Sequence, residues 1–240
     1  MDGNRPLLMP LGKDIWLANG AEAMVAGFRY PTRMAVIRLA GARLLLWSPV
    51  RPTPALRAAV EALGEIAHLV APNSLHHLSI ADWQRAYPSA RTWAPPGLRR
   101  KRPDLTFDAD LGDVAPAEWA VEVDQVAVRG NLITTELVFF HRVSRTVLFT
   151  DLLQHFDRGW FSGWRAMVAR LDLMTAPHPE VPRKFRMAFV DRAAARGAIE
   201  RILAWPIETL VMAHGAPVSP GGRAAVERAF RWLRPNAPLP

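Results

Sequence analysis

The chain contains no cysteine. That absence excludes disulfides, thiolate metal sites and cysteine nucleophiles, and it removes any sequence clue to redox compartment. No apolar run reaches the roughly 18 residues of a spanning helix, so no membrane association is expected. The opening segment MDGNRPLLMPLGKDIW lacks a basic stretch followed by a long apolar core. A secretory signal is therefore not expected, and a cytoplasmic protein is the default reading. No G-x-S-x-G elbow offers an activated serine. No glycine-rich phosphate loop precedes a helix.

What is present is enough apolar residue for a folded core. Half of the 240 residues are hydrophobic, which suits one substantial core or two half-domains sharing a cleft. The formal charge of +8 rests almost wholly on scattered arginine. A single local cluster, Arg99-Arg100-Lys101-Arg102, lies between Pro95-Pro96-Gly97 and Pro103 and has no interleaved aromatics. It reads as a solvated loop rather than a nucleic-acid surface. The aspartates at 104, 108, 110 and 113 lack the full ligand-and-glycine pattern of a calcium loop and read the same way.

Histidine and carboxylate carry the most information. His76-His77, Asp151 and His214-Gly215 each stand at or near the end of an apolar run: AHLVAPNSLHH, RTVLFTD and IETLVMAH. Imidazole and carboxylate bind zinc or iron without thiols. Three hydrophobic runs delivering such groups at their C-terminal ends suggest strand tips converging on one metal. Each residue also has a plainer reading. Neighbours on a strand face opposite ways, so one histidine of the pair could be core and the other surface. Asp151 could cap a following helix, and His214-Gly215 could be a turn.

The surrounding pattern is strands and helices in alternation. Strands are expected at 14–18, 34–39 and 43–48, with Asn19-Gly20 as punctuation and Ala40-Gly41-Ala42 as a hairpin connection. A helix capped by Thr53 follows over 53–63. Further strands are expected at 67–71, 91–94, 121–129, 135–141, 146–150 and 209–213, and further helices at 80–87, 192–204 and 222–233. This order suggests two sheets face to face with helices outside, a four-layer α/β/β/α sandwich formed by residues 1–240 as one domain. An aromatic segment at 156–164 follows Asp151 and suits either a wall beside the site or a core helix.

The segments RYPTRMAVI, SPVRPTPAL, VAPNSLHHL, TVLFTDLLQHF and VMAHGAPV, in this order and spacing, resemble the metallo-β-lactamase-fold superfamily. Within it they resemble a branch classed as a domain of unknown function. The resemblance implies the sandwich above and a metal-dependent hydrolase. The superfamily motif T-H-x-H-x-D-H falls on Ala71-Pro72-Asn73-Ser74-Leu75-His76-His77, so its first two histidines are replaced by Pro72 and Ser74. The histidine of the middle motif falls near residues 131–133 and is also missing. His76, His77, Asp151 and His214 occupy the four positions that hold the second metal in two-metal members. The resemblance therefore implies a mononuclear site: one divalent ion, zinc first, iron or manganese otherwise.

Such an ion can acidify water near neutral pH. Four protein ligands, however, can saturate a tetrahedral ion and leave a structural site. Asp151 and Glu136 are the candidate catalytic carboxylates; Glu136 lies where the middle motif runs and could act as ligand or base. His155 and His178 are secondary candidates. The substrate expected is a small ester-type or anionic molecule. The alternative is a non-catalytic metal-stabilised binding domain, and a nucleic-acid-processing enzyme is disfavoured because that chemistry relies on two metals.

Overall fold

The computed structural model describes residues 6–234. Among these residues the strands are β1 (Met9–Gly12), β2 (Ile15–Val25), β3 (Phe28–Arg38), β4 (Arg43–Trp47), β5 (Glu65–Val70), β6 (Arg91–Ala94), β7 (Ala109–Asp110), β8 (Val123–Val128), β9 (Glu136–His141), β10 (Thr146–His155) and β11 (Thr209–Gly215). The helices are α1 (Pro54–Glu61), α2 (Ile80–Ala86), α3 (Leu98–Lys101), α4 (Trp164–Leu171), α5 (Arg183–Ala188), α6 (Arg192–Leu203) and α7 (Gly222–Ala229). No helix among the described residues is long and apolar enough to cross a membrane.

The strands form a seven-stranded sheet, ordered β1 to β7, and a four-stranded sheet, ordered β11-β10-β9-β8. Strand alternation decides which layer each side chain enters. In β4, Leu45 and Trp47 face the second sheet, whereas Leu44 and Leu46 face the helices. In β10, Leu148 faces the first sheet and Val147 and Phe149 face the opposite way. Residues of both sheets thus share one inner core. Outside it, α1 and α2 contribute to the core of the first sheet, while α5, α6 and α7 contribute to that of the second. The result is the α/β/β/α sandwich anticipated from the alternation of elements, with Trp47, Leu69, Phe149 and Val211 buried.

Local chemistry sets the helix starts. Thr53 Oγ1 accepts a 3.1 Å bond from the Leu56 amide, and Pro54 opens α1, where its missing N–H is not needed. Asp191 Oδ1 caps α6 through the Ala194 amide at 2.9 Å. Asn19-Gly20 does not end a strand as expected. It lies inside β2, whose pairing with β3 slips between Gly20 and Ala23. β2 and β3 therefore form a long hairpin that projects beyond the sheet towards α4. That hairpin and α4 were not legible in the apolar pattern, because few of their residues are buried.

One core histidine ties the fold to pH. His68 is buried among Trp93 and Trp119, with Trp93 Nε1 donating to its Nδ1 at 3.3 Å. Burial, reinforced by the nearby Arg43 charge, lowers its pKa from 6.5 to about 4. The folded state therefore binds fewer protons than the unfolded state between these values. Its contribution to stability is complete above pH 6.5 and is lost as pH falls towards 4. His68→Gln keeps an acceptor for Trp93 but cannot titrate. Urea midpoints measured from pH 7 to 4 should fall less steeply for this variant than for the wild type; parallel slopes would show that His68 is not the titrating group.

Candidate metal centre

His76, Asp151 and His214 come together at the C-terminal ends of strands from both sheets. His76 sits in the loop after β5, Asp151 within β10, and His214 near the end of β11. One candidate ligand atom from each lies within 4.8 Å of the others. His76 Nε2 is 3.2 Å from Asp151 Oδ2, and His214 Nε2 is 3.3 Å from Asp151 Oδ1. Zinc–ligand bonds of about 2.0–2.1 Å at tetrahedral angles separate neighbouring donors by roughly 3.3 Å. The spacing therefore suits a single small cation.

The outer nitrogens are already engaged. His214 Nδ1 is 2.8 Å from the Pro31 carbonyl oxygen. A carbonyl only accepts, so Nδ1 carries a proton, and Nε2 is the nitrogen turned to Asp151. His76 Nδ1 is 2.8 Å from Ser48 Oγ, and Ser48 turns towards it from a left-handed backbone conformation, φ 52°. Outer-shell bonds of this kind fix the tautomer and orientation of metal-binding imidazoles. Two nitrogens and one carboxylate oxygen form a donor set that fits zinc, iron or manganese.

Asp151 owes its position to an irregularity in β10. Phe149 pairs with Met212 and Gln154 with His214, so residues 150 to 153 oppose only Ala213. The amides displaced from the ladder turn to Glu136. Its Oε1 accepts from the Thr150 amide at 2.8 Å, and its Oε2 from the Asp151 and Leu152 amides at 2.8 and 3.0 Å. Asn73 completes the arrangement. Its Nδ2 donates to Asp151 Oδ2 at 2.7 Å and Thr150 Oγ1 at 2.8 Å, while its Oδ1 accepts from the Leu75 and His76 amides at 2.8 and 3.0 Å. Asn73 thus couples two of the three cluster residues. Sequence reading passed over it because an asparagine in a loop resembles any turn former.

The two buried carboxylates are pushed apart. Burial raises the pKa of Glu136, and the Asp151 charge adds to this. Burial opposes ionisation of Asp151 too, but the His76 charge and hydrogen bonds with His214 and His76 hold its pKa well below the usual range.

Two candidate residues lie apart from this cluster. His77 does not join the cluster: Arg102 Nη1 lies 2.9 Å from its Nδ1, so a permanent donor occupies that nitrogen's lone pair. Burial and the Lys101 and Arg102 charges lower the His77 pKa to about 4. Adjacent imidazoles here do face different ways. Glu136 is fully buried beneath Asp151 with its oxygens committed to backbone amides. His155 and His178 also stay outside the cluster; the backbone of His155 passes so close to Gly215 that a Cβ there would stand 2.7 Å from its carbonyl oxygen.

The aromatic segment lies beside the cluster. Phe156 stacks on His214 with ring planes 13° apart, and Tyr30 meets the same ring edge-on. Trp160 Nε1 donates to the Arg29 carbonyl at 2.9 Å, fixing the segment to β3. Lys184 Nζ is 3.0 Å from the Tyr30 hydroxyl and 3.4 Å from Asp172. Burial opposes the Lys184 charge, but the Tyr30 hydroxyl and the Asp172 and Asp151 charges raise its pKa above the ordinary value. The basic segment, expected as a loop, forms α3 and is internally committed: Arg99 bonds Asp110, Lys101 the Ser74 carbonyl, and Arg102 Asp104.

Glu136→Ala should destabilise the protein by about 3–5 kcal/mol, because three buried amides lose their acceptor. Glu136→Gln, which retains one carbonyl acceptor, should cost less. Denaturant midpoints report both, and an alanine variant within about 1 kcal/mol of wild type would contradict the assigned role.

A family profile described as "Domain of unknown function (DUF4336)" matches residues 13–100. No curated protein matches the sequence. A metallo-β-lactamase from Pontibacter korlensis superposes with a TM-score of 0.64 at 10% identity, covering 96% of this chain and 99% of that one. A metallo-β-lactamase from Erythrobacter litoralis gives 0.65 at 14% identity, covering 95% and 96%. The metal-soaked flavodiiron core of Flv1 from Synechocystis gives 0.62 at 13% identity, covering 95% of this chain and 60% of that one. The two-sheet sandwich, its strand-end cluster and these superpositions together show that the chain has the metallo-β-lactamase fold.

Proposed function

We propose that the chain is a single-domain metal-dependent hydrolase whose one divalent ion, zinc first and iron or manganese otherwise, is held by His76, Asp151 and His214. The orientation of His214 carries this reading. With Nδ1–H committed to the Pro31 carbonyl, its Nε2 faces a carboxylate oxygen 3.3 Å away. A cation shared with His76 Nε2, 3.2 Å from the other carboxylate oxygen, would satisfy all three groups at once. Removal of His77 from the donor set leaves three protein ligands, the number used by catalytic zinc sites that keep a position open.

When bound, such an ion polarises a substrate oxygen and lowers the pKa of water. The chain's own residues supply the rest. Asp151 Oδ2 is engaged by Asn73, which leaves Oδ1, beside His214 Nε2, as the oxygen that would hold the ion. Lys184, held by Tyr30 and Asp172, supplies positive charge to the substrate's developing oxyanion. Phe156 and Tyr30 restrict water around His214. With neither cysteine nor a serine elbow in the chain, water is the nucleophile this side-chain set supports. The substrates that fit are esters, thioesters, amides and phosphoesters, a range that rests on fold analogy.

A second reading is a non-catalytic binding domain, in which protonated His76 and His214 alone balance Asp151. Metal analysis separates the two. Chelated and reconstituted protein should retain one zinc per chain. His76→Ala, Asp151→Ala and His214→Ala should each weaken binding by at least about 100-fold, whereas His77→Ala should keep the full stoichiometry. Two tightly held ions, or none, would contradict the assignment. Turnover of an ester or phosphoester panel should vanish in Asp151→Ala and His214→Ala; activity that survives complete metal removal would refute the mechanism.

A further inference from the structure

The cluster opens into a cavity of about 1100 Å³, larger than the usual range for a small-molecule site. One part of its wall is polar and carries His76, Asp151, His214 and Lys184. Most of the remaining wall is apolar and comes from separate elements: Val25 and Phe28 from the β2–β3 hairpin, Leu171 from α4, Phe185 and Met187 from α5, and Leu78 from the loop after β5. Several of these are open to solvent, with Leu171 56% and Met187 76% exposed. A soluble domain seldom gathers large apolar side chains in this way without a ligand. Further apolar residues of the same elements are exposed: Met24 on the hairpin, and Trp164 and Met167 on α4.

We propose that this cavity is the acyl-chain channel of the site and that the substrate is a long-chain acyl ester or thioester. The proposal rests on the hydrolytic reading above and specifies its substrate class. The chain lies along the hairpin, α4 and α5, and the carbonyl reaches the cluster. Lys184, Arg183 and Arg51 on the cavity wall, which also carries Glu22 and Asp172, offer positive charge to an anionic leaving group or the product carboxylate. A membrane surface fits less well, because the apolar wall is concave and runs inward to the cluster. In the reaction, the oxygen of water bonds to the acyl carbon and the carbon–oxygen or carbon–sulfur bond breaks. The leaving group takes up a proton, and a fatty acid is released.

The test is equilibrium binding of saturated fatty acids from four to fourteen carbons, kept below their micellar concentrations. It uses full-length protein stripped of metal, followed by calorimetry or tryptophan fluorescence. Affinity should rise roughly two- to fourfold per methylene. Leu171→Glu and Met187→Glu, both at exposed positions, should weaken dodecanoate at least tenfold without lowering the thermal midpoint. The zinc-loaded protein should show a matching preference for long over short acyl thioesters. Affinity independent of chain length, wild-type dodecanoate binding in both variants, or binding to phosphatidylcholine vesicles alone would overturn the proposal. Chain-length-dependent binding without zinc binding or hydrolysis would uphold the channel and overturn the hydrolytic reading instead.

Discussion

The site depends on keeping one ionised carboxylate inside the protein. Asp151 is almost completely buried, and a charge there is costly unless it is compensated on every side. The compensation comes from three residues. Asn73 donates to one oxygen, and the imidazoles of His76 and His214 face the two oxygens, while Glu136 below accepts the Asp151 amide and leaves the carboxylate itself unaided. Glu136 is itself a buried carboxylate, and its raised pKa shows how strongly burial and the Asp151 charge oppose its ionisation. The fold accepts this strain because the β10 irregularity would otherwise leave three amides without acceptors.

That irregularity connects the hydrophobic core to chemistry. Up to Phe149, β10 is regular, pairs with β9 and β11, and alternates its side chains between two apolar layers. A continued regular ladder would send Asp151 into one of those layers. The extra residues at 150 to 153 instead place its carboxylate at the strand tips beside His214. Bulges commonly re-aim a side chain next to an active site. Arg33 reinforces the same region from β3, where its Nη1 donates to the carbonyls of Met212, at 2.7 Å, and Gly215. The strand carrying His214 is thereby tied to the opposite sheet.

The contrast between the polar floor and the apolar walls follows from which elements are core and which are not. Asp151 and His214 in the floor sit on strands of the packed second sheet, which holds them in place. The walls are the projecting hairpin, α4 and α5, whose outward residues have no core to enter. Phe28, Phe156 and Phe161 pack together beneath them. This secondary cluster anchors the walls while leaving Leu171 and Met187 facing open space.

Sequence by itself determined the layers and the candidate ligands. Apolar runs such as Leu44 to Trp47 and Thr209 to Ala213 must be buried strands, and period-two alternation then assigns each residue to a layer. The run-end placement of His76, Asp151 and His214 pointed to a shared cation, because strand tips of one sandwich edge meet in space. Only the tertiary structure decided between His76 and His77. Their spacing is identical in sequence terms, and the choice was made by Arg102, 25 positions away, which occupies the His77 nitrogen. It likewise decided that Glu136 serves the backbone and that Asn73 is a central partner of Asp151. These roles depend on where β10 leaves its ladder, and that is set by contacts between segments more than 60 residues apart. The cavity walls were unreadable for a related reason. Exposed apolar residues on a hairpin and two short helices show no periodicity until the fold places them around one opening.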